Sequence, residues 1–215
     1  AVEIDIILET IHKSFPSNHR DLYLAALLGT ASDIVDTVGK HFAQPIKARD
    51  AKGKIKSTVY NKAVKDKTID VIALYKDWLL KYKSLTKNDL CHSTMQGDFE
   101  NCLRNLPDNV RTVYADPPYT RDHYSRYYHV LETLTLRDIP KIYREDRHQS
   151  PFCIKSKALD AFRKMFKLTS ATNRNLLLSY SPYDETKKSH PRVVTMQQII
   201  TLAKEYFDNV ETVSA

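Results

Sequence analysis

The sequence predicts an α/β fold with an N-terminal helical lobe. Up to about residue 90, apolar side chains recur at helical spacing. From about residue 93, short apolar runs alternate with helical stretches, punctuated by Gly97, Pro107 and the pair Pro117-Pro118. Strands that alternate with helices need crossover connections, so the sheet is expected to be mostly parallel. The predicted division is 1–90 for the helical lobe and 91–215 for the α/β part.

In chain order, Ile4, Ile7, Leu8, Ile11 and Phe15 mark a first helix, which Pro16 stops. Leu24, Leu27, Leu28, Ile34, Val35, Val38 and Phe42 mark a second. Ile72, Tyr75, Leu79 and Tyr82, with Trp78 beside them, mark a third. Between these, Ala48–Val59 carries Gly53 and alternating lysines and reads as a loop or hairpin. A short strand is expected over Ser93–Gln96, then a helix over Glu100–Leu106 that ends at Pro107-Asp108-Asn109. A strand over Thr112–Ala115 follows. Helices are expected from Tyr124 and over Lys157–Leu168, a strand over Asn175–Tyr180, an amphipathic helix over Thr195–Phe207, and a last strand over Val210–Val213. Tyr124, Tyr127, Tyr128 and Leu131 follow helical spacing and read mostly as a packed face.

Asp116-Pro117-Pro118-Tyr119 closes the Thr112–Ala115 strand. Two successive prolines lack N–H groups and fix φ, so the strand must end in a stiff loop. That loop gathers a carboxylate, the Pro117 carbonyl and an aromatic ring, a set suited to a flat heterocycle with an exocyclic amino group. The carboxylate and the carbonyl accept from the NH2 and the ring stacks. In open α/β sheets ligands sit beyond the carboxyl ends of the strands. Asp98 and Asp116 are both expected at such ends, converging on one cleft.

The motif resembles that of the amino-group methyltransferases that use S-adenosylmethionine, in the branch that methylates adenine N6 in DNA. Gly97-Asp98-Phe99, the tyrosine-rich stretch Tyr119–Leu134, the strand Leu176–Ser181 and the helical segment Gly29–Lys47 are similar to a bacterial modification-methylase subgroup of that family. The resemblance implies a partial Rossmann-like S-adenosylmethionine-dependent methyltransferase sheet, with the DNA-recognition region in the helical lobe. It implies catalytic roles for Asp116, Pro117, Pro118 and Tyr119, with S-adenosylmethionine held by Asp98, Phe99 and Asp116. The implied partners are double-stranded DNA and a cognate restriction endonuclease of the same system; no membrane partner is expected. An amino-methyltransferase acting on RNA or on cytosine N4, and a DNA-binding fragment without catalysis, remain alternative readings.

The family binds the methionine end of its cofactor on a glycine-rich loop. Here there are four glycines, at 29, 39, 53 and 97, with no two close enough to form one. Average usage is roughly 7% glycine. The expectation is therefore a piece of a longer enzyme that lacks the first strand or two of the catalytic domain.

Composition agrees with a protein that faces nucleic acid. The net charge is +7, and residues 47–67 hold eight basic side chains against Asp50 and Asp66, so this stretch carries +6 of it. Lys52, Lys54 and Lys56 are expected to meet phosphates. Arg121, His123 and Arg126 are expected to meet phosphate or the target base. Cys91, Cys102 and Cys153 lack paired spacing and read as free intracellular thiols, consistent with a cytoplasmic protein. The eight histidines form no ligand pattern, so no metal is expected. No Gly-x-Ser-x-Gly occurs, which argues against a hydrolase elbow.

Overall fold

The computed structural model describes residues 2–35, 42, 46–85, 91–121, 124–138, 148–181 and 192–213. The chain divides into two compact units: Ala1–Cys91 with Ser125–Arg147, and His92–Tyr124 with His148–Ala215.

The first unit is helical. Helix α1 spans Val2–Ser14 and α2 spans Asp21–Ile34. Arg20 fastens one to the other: its guanidinium donates to the Phe15 carbonyl (2.7 Å) and the His12 carbonyl (2.9 Å), acceptors left over at the end of α1. Helix α3 spans Ser57–Lys67 and α4 spans Val71–Leu85. Helix α4 lies against α2, where a Cβ on Gly29 would sit 2.6 Å from the Trp78 ring, so the glycine sets how closely the helices approach. The Trp78 indole N–H donates to Asp33 (2.8 Å) and locks the ring there. The core joins Ile4, Ile7, Ile11, Leu27, Ala31 and Val71 to Leu134 of α7 (His129–Leu136).

Leu134 explains why the helical unit is discontinuous in sequence. The predicted boundary fell at 90, with everything beyond it in the α/β part. In the fold, Ser125–Arg147 groups with the N-terminal helices because Val130, Leu131 and Leu134 complete their core.

In the second unit, α5 (Phe99–Arg104) precedes β1 (Thr112–Ala115). The short helix α6 (Tyr124–Tyr127) crosses into the helical unit. Then come α8 (Lys155–Ser170), β2 (Asn175–Leu178) and α9 (Met196–Ala203). Strands β1 and β2 pair in parallel, with Thr112 opposite Asn175 and Ala115 opposite Leu178. Val113, Ala115, Leu176 and Leu178 turn toward the apolar face of α8, where Ala158, Ala161, Phe162, Met165 and Phe166 are buried. Ile199, Leu202 and Ala203 of α9 close the same core. The start of α9 is held by a complete capping box between Thr195 and Gln198.

Several expected elements differ. Helix α2 ends at Ile34 because Val35 turns extended (ψ 123°); Val38 lies outside the described residues. Ser93–Gln96 forms no strand: it is exposed, and among the described residues the sheet has two strands, β1 and β2. Val210–Val213 is likewise irregular. The helix from Tyr124 breaks at Tyr128 (φ −113°, ψ 11°), which leaves Tyr124 and Tyr128 exposed rather than packed. The loop or hairpin expected over 48–59 is present over 48–56, where Arg49 and Ile55 form an antiparallel bridge, and turns to helix from Ser57. Among the described residues no helix is long and apolar enough to cross a membrane.

Candidate functional site

The Asp116–Tyr119 loop follows β1 directly, and the parallel ladder reaches its edge: the Ser179 N–H donates to the Ala115 carbonyl (2.8 Å). The strand thus delivers Asp116 to the surface, exposed, while Pro117 is buried beneath it. With φ fixed at both prolines, the loop has few alternatives to this path. Pro118 and Tyr119 are half-buried.

Tyr119 is held from three sides. Tyr180, just past β2, meets it in an edge-to-face contact, centroids 5.9 Å apart and planes at 72°. The Arg192 guanidinium lies over the Tyr119 ring at 4.4 Å. The Tyr119 carbonyl accepts from the Val193 N–H (3.2 Å), and Thr120 bridges Arg192 in an antiparallel pair. Segment 192–194 therefore straps the loop after β1 to the loop after β2. Its far end is fixed by buried Val194, whose carbonyl accepts from the Tyr180 hydroxyl. Burial pushes the Tyr180 hydroxyl's pKa up, against smaller opposing effects from the Val194 carbonyl bond and from Arg192.

Asp98 does not end a strand. It is the N-cap of α5, and its Oδ1 accepts from the Asn101 N–H (2.9 Å). Phe99 packs on Phe152 at 5.0 Å and belongs to the rim of the core as much as to any surface. At Gly97 a Cβ would come within 3.2 Å of the Asn101 side chain. Asp98 and Asp116 share the second unit, one opening α5 and the other closing β1.

The candidate nucleic-acid residues fall in separate places. Lys52, Lys54 and Lys56 stand exposed on a tight turn. Asp50 organises that turn, accepting on Oδ1 from the N–H groups of Lys52 (2.8 Å) and Lys54 (2.9 Å). Gly53 adopts φ 80°, open to glycine but costly for other residues. The Lys56 N–H returns to the Ala48 carbonyl (2.8 Å), and Arg49 bridges Ile55 across the turn. Helix α3 continues the basic surface with Lys62, Lys65 and Lys67, all exposed. Arg121 belongs to the unit of the strand-end loop and Arg126 to the helical unit, both exposed; His123 lies outside the described residues. Among the described residues no three His, Cys, Asp or Glu side chains group as metal ligands.

Sequence reading missed Arg192 and the role of Tyr180. Tyr180 was visible only as the end of an apolar strand. Arg192 carries no local signal, because its partners Tyr119 and Ser181 come to it through the fold.

The site is thus a stiff acid-Pro-Pro-Tyr loop at the carboxyl end of a parallel strand, the position of functional loops in α/β proteins. Residues 41–190 match the D12 class N6 adenine-specific DNA methyltransferases, and the chain belongs to that family. It is similar to the modification methylase LlaI of Lactococcus lactis subsp. lactis, 28% identical over 128 residues, which make up 57% of this chain and 18% of that protein. It is also similar to the type II methyltransferase M.FokI of Planomicrobium okeanokoites, 29% identical over 108 residues, 47% of this chain and 16% of that protein. The chain therefore spans less than a fifth of the length of these curated relatives. No solved structure matches it.

Proposed function

We propose that the chain carries the target-base site of a DNA methyltransferase that modifies adenine N6, working within a restriction-modification system beside a cognate endonuclease. The observation that carries this reading is the Asp116–Tyr119 loop at the end of β1, inside the region that matches the family. A base within a duplex cannot reach such a loop, so the adenine must be flipped out, at a cost of about a few kcal/mol.

Adenine's exocyclic nitrogen is a poor nucleophile, because its lone pair is delocalised into the ring. Asp116 and the Pro117 carbonyl accept from its two N–H bonds, which pyramidalises the nitrogen and localises that pair. Tyr119 stacks on the ring, and Pro118 keeps the loop stiff. The nitrogen gains a carbon bond and gives up one proton toward Asp116 or solvent. No enzyme nucleophile is required, so catalysis is positioning and electrostatics. S-adenosylmethionine supplies the activated methyl group when bound. The residues present fit its adenosine end: Asp98 has carboxylate acceptor capacity beyond its bond to Asn101, Phe99 offers an apolar edge, and Asp116 opens the loop after β1 in the same unit. The sheet is then part of a Rossmann-like catalytic domain, and the helical unit is the DNA-recognition region. There Lys52, Lys54, Lys56 and Arg126 meet the duplex, while Arg121 meets it beside the target loop.

In the complete enzyme that contains this chain, assayed with labelled S-adenosylmethionine and unmethylated duplex DNA, Asp116→Ala abolishes incorporation while DNA affinity stays close to wild type. Retention of more than about a tenth of the rate would remove Asp116 from the chemistry, since loss of a positioned acceptor costs far more than that. DNA binding by the wild type without incorporation would favour a DNA-binding module over an enzyme.

A further inference from the structure

We infer that Arg192 is a positioning residue that fixes the plane of the Tyr119 ring for stacking on an extrahelical base. Arg192 lies two residues beyond the region that matches the family. Its guanidinium does two things at once. It covers one face of Tyr119 at 4.4 Å, and it donates from Nε to the Ser181 carbonyl (2.8 Å) and from Nη2 to the Ser181 hydroxyl (2.9 Å). The cation is therefore tied to the loop after β2 while it presses on the loop after β1.

The backbone repeats the link. The antiparallel bridge from Thr120 to Arg192 and the bond from Val193 to the Tyr119 carbonyl hold the peptide on either side of the ring. Tyr180 braces the ring and is itself bonded to Val194. Val194 is 3% exposed and leads into the capped start of α9, so the strap is anchored in the core rather than in a surface loop. With one face taken by the guanidinium, a base that stacks on Tyr119 is left the other. A cation on the far face draws π density away from the side that meets the electron-rich purine, which strengthens the stack. Arginine suits this better than lysine, because a planar guanidinium can lie on a ring and still donate in its own plane to Ser181.

The inference rests on the reading that Tyr119 stacks on the target base, and the experiment separates the two. The probe is an oligonucleotide with one 2-aminopurine flanked by abasic residues, so that protein aromatics are its only stacking partners. Fluorescence lifetimes give the equilibrium between stacked and unstacked probe; an all-abasic strand gives the backbone affinity. In the 215-residue chain, Tyr119→Leu should remove the stacked population. Arg192→Met should lower the stacking equilibrium about five- to tenfold, with Arg192→Lys in between. Affinity for the all-abasic strand should change by no more than about twofold, less than the loss of one phosphate contact would cost.

If Arg192→Met fails to fold, the Arg192→Lys variant decides. A Tyr119-dependent stack that is unchanged in the Arg192 variants overturns the inference and leaves the catalytic reading intact. A stack that depends on Arg192, with methyl transfer by the complete enzyme unchanged in Asp116→Ala, supports the inference and overturns the catalytic reading. Absence of any Tyr119-dependent stacking in the wild type overturns both the inference and the role of Tyr119.

Discussion

Arg174 carries a charge into a nearly closed position, 9% exposed, and makes three hydrogen bonds to backbone from its Nε and Nη2. Its guanidinium reaches the carbonyls of Val110 (3.1 Å), Leu106 (3.2 Å) and Pro107 (3.1 Å). These residues lead into β1, while Arg174 itself leads into β2, so one side chain sets the start of both strands. Replacement by Met keeps much of the apolar stem but removes the donor from the Leu106 and Val110 carbonyls and one of two from Pro107, which keeps the Val110 N–H (3.0 Å). Arg174→Met should destabilise the chain by about 2–4 kcal/mol, read from urea unfolding. A change below about 1 kcal/mol would mean that water replaces the guanidinium without cost. Neither Arg174 nor Arg192 could be singled out from the sequence. Each works through partners tens of residues away, and an isolated arginine in a basic chain looks like surface charge. The Asp116–Tyr119 loop was legible for the opposite reason: its geometry is dictated locally, by an apolar run that meets two prolines.

At the scale of elements, the same contrast separates α8 from α3. Helix α8 was visible because its buried residues repeat at helical spacing and meet the sheet. Helix α3 has no buried residue, so no apolar stripe announced it, and its lysines obscured the pattern further. The expected strand at Ser93–Gln96 failed because alternation of small and polar residues cannot substitute for a neighbouring strand. The turn at 50–54 and α3 together form a continuous cationic surface. Replacing Lys52, Lys54 and Lys56 with Gln should weaken binding to cognate and random duplexes alike. The slope of log affinity against log salt should shrink by about 2 to 3, since each phosphate contact contributes roughly 0.9. Asp50 and Gly53 are untouched, so the turn should persist. An unchanged slope would make these lysines a solvated connector. A selective loss on cognate DNA would place them in the groove instead.

For the molecule as a whole, the helical unit contains a pH-sensitive point. His12 is half-buried, and its Nε2 is buried with no hydrogen-bond partner among the described residues. Burial holds its pKa below 6.5, helped by the positive charges of Arg137 and Arg20 and opposed by Glu9. In the unfolded chain the imidazole takes up its proton near 6.5, so the unfolded state binds the proton first as pH falls. The contribution is complete above that pH and declines below it, toward the lowered value of the folded state. The thermal midpoint should therefore drop as pH falls below about 6.5, and His12→Phe should flatten that drop. An equal decline in the variant would assign the effect to the other histidines.

The return of α7 to the N-terminal helices has a consequence during synthesis. The first unit cannot close its core until Leu134 has left the ribosome. By then β1 is already made, yet its partner β2 begins only at Asn175. Each nascent chain therefore passes through an interval in which β1 is made but β2 and the apolar face of α8 are not yet there for Val113 and Ala115. Unpaired strand edges of this kind recruit other chains. Pro117 and Pro118 close one end of β1 to further pairing, so the residues that shape the target loop also limit how far a mispaired strand can extend.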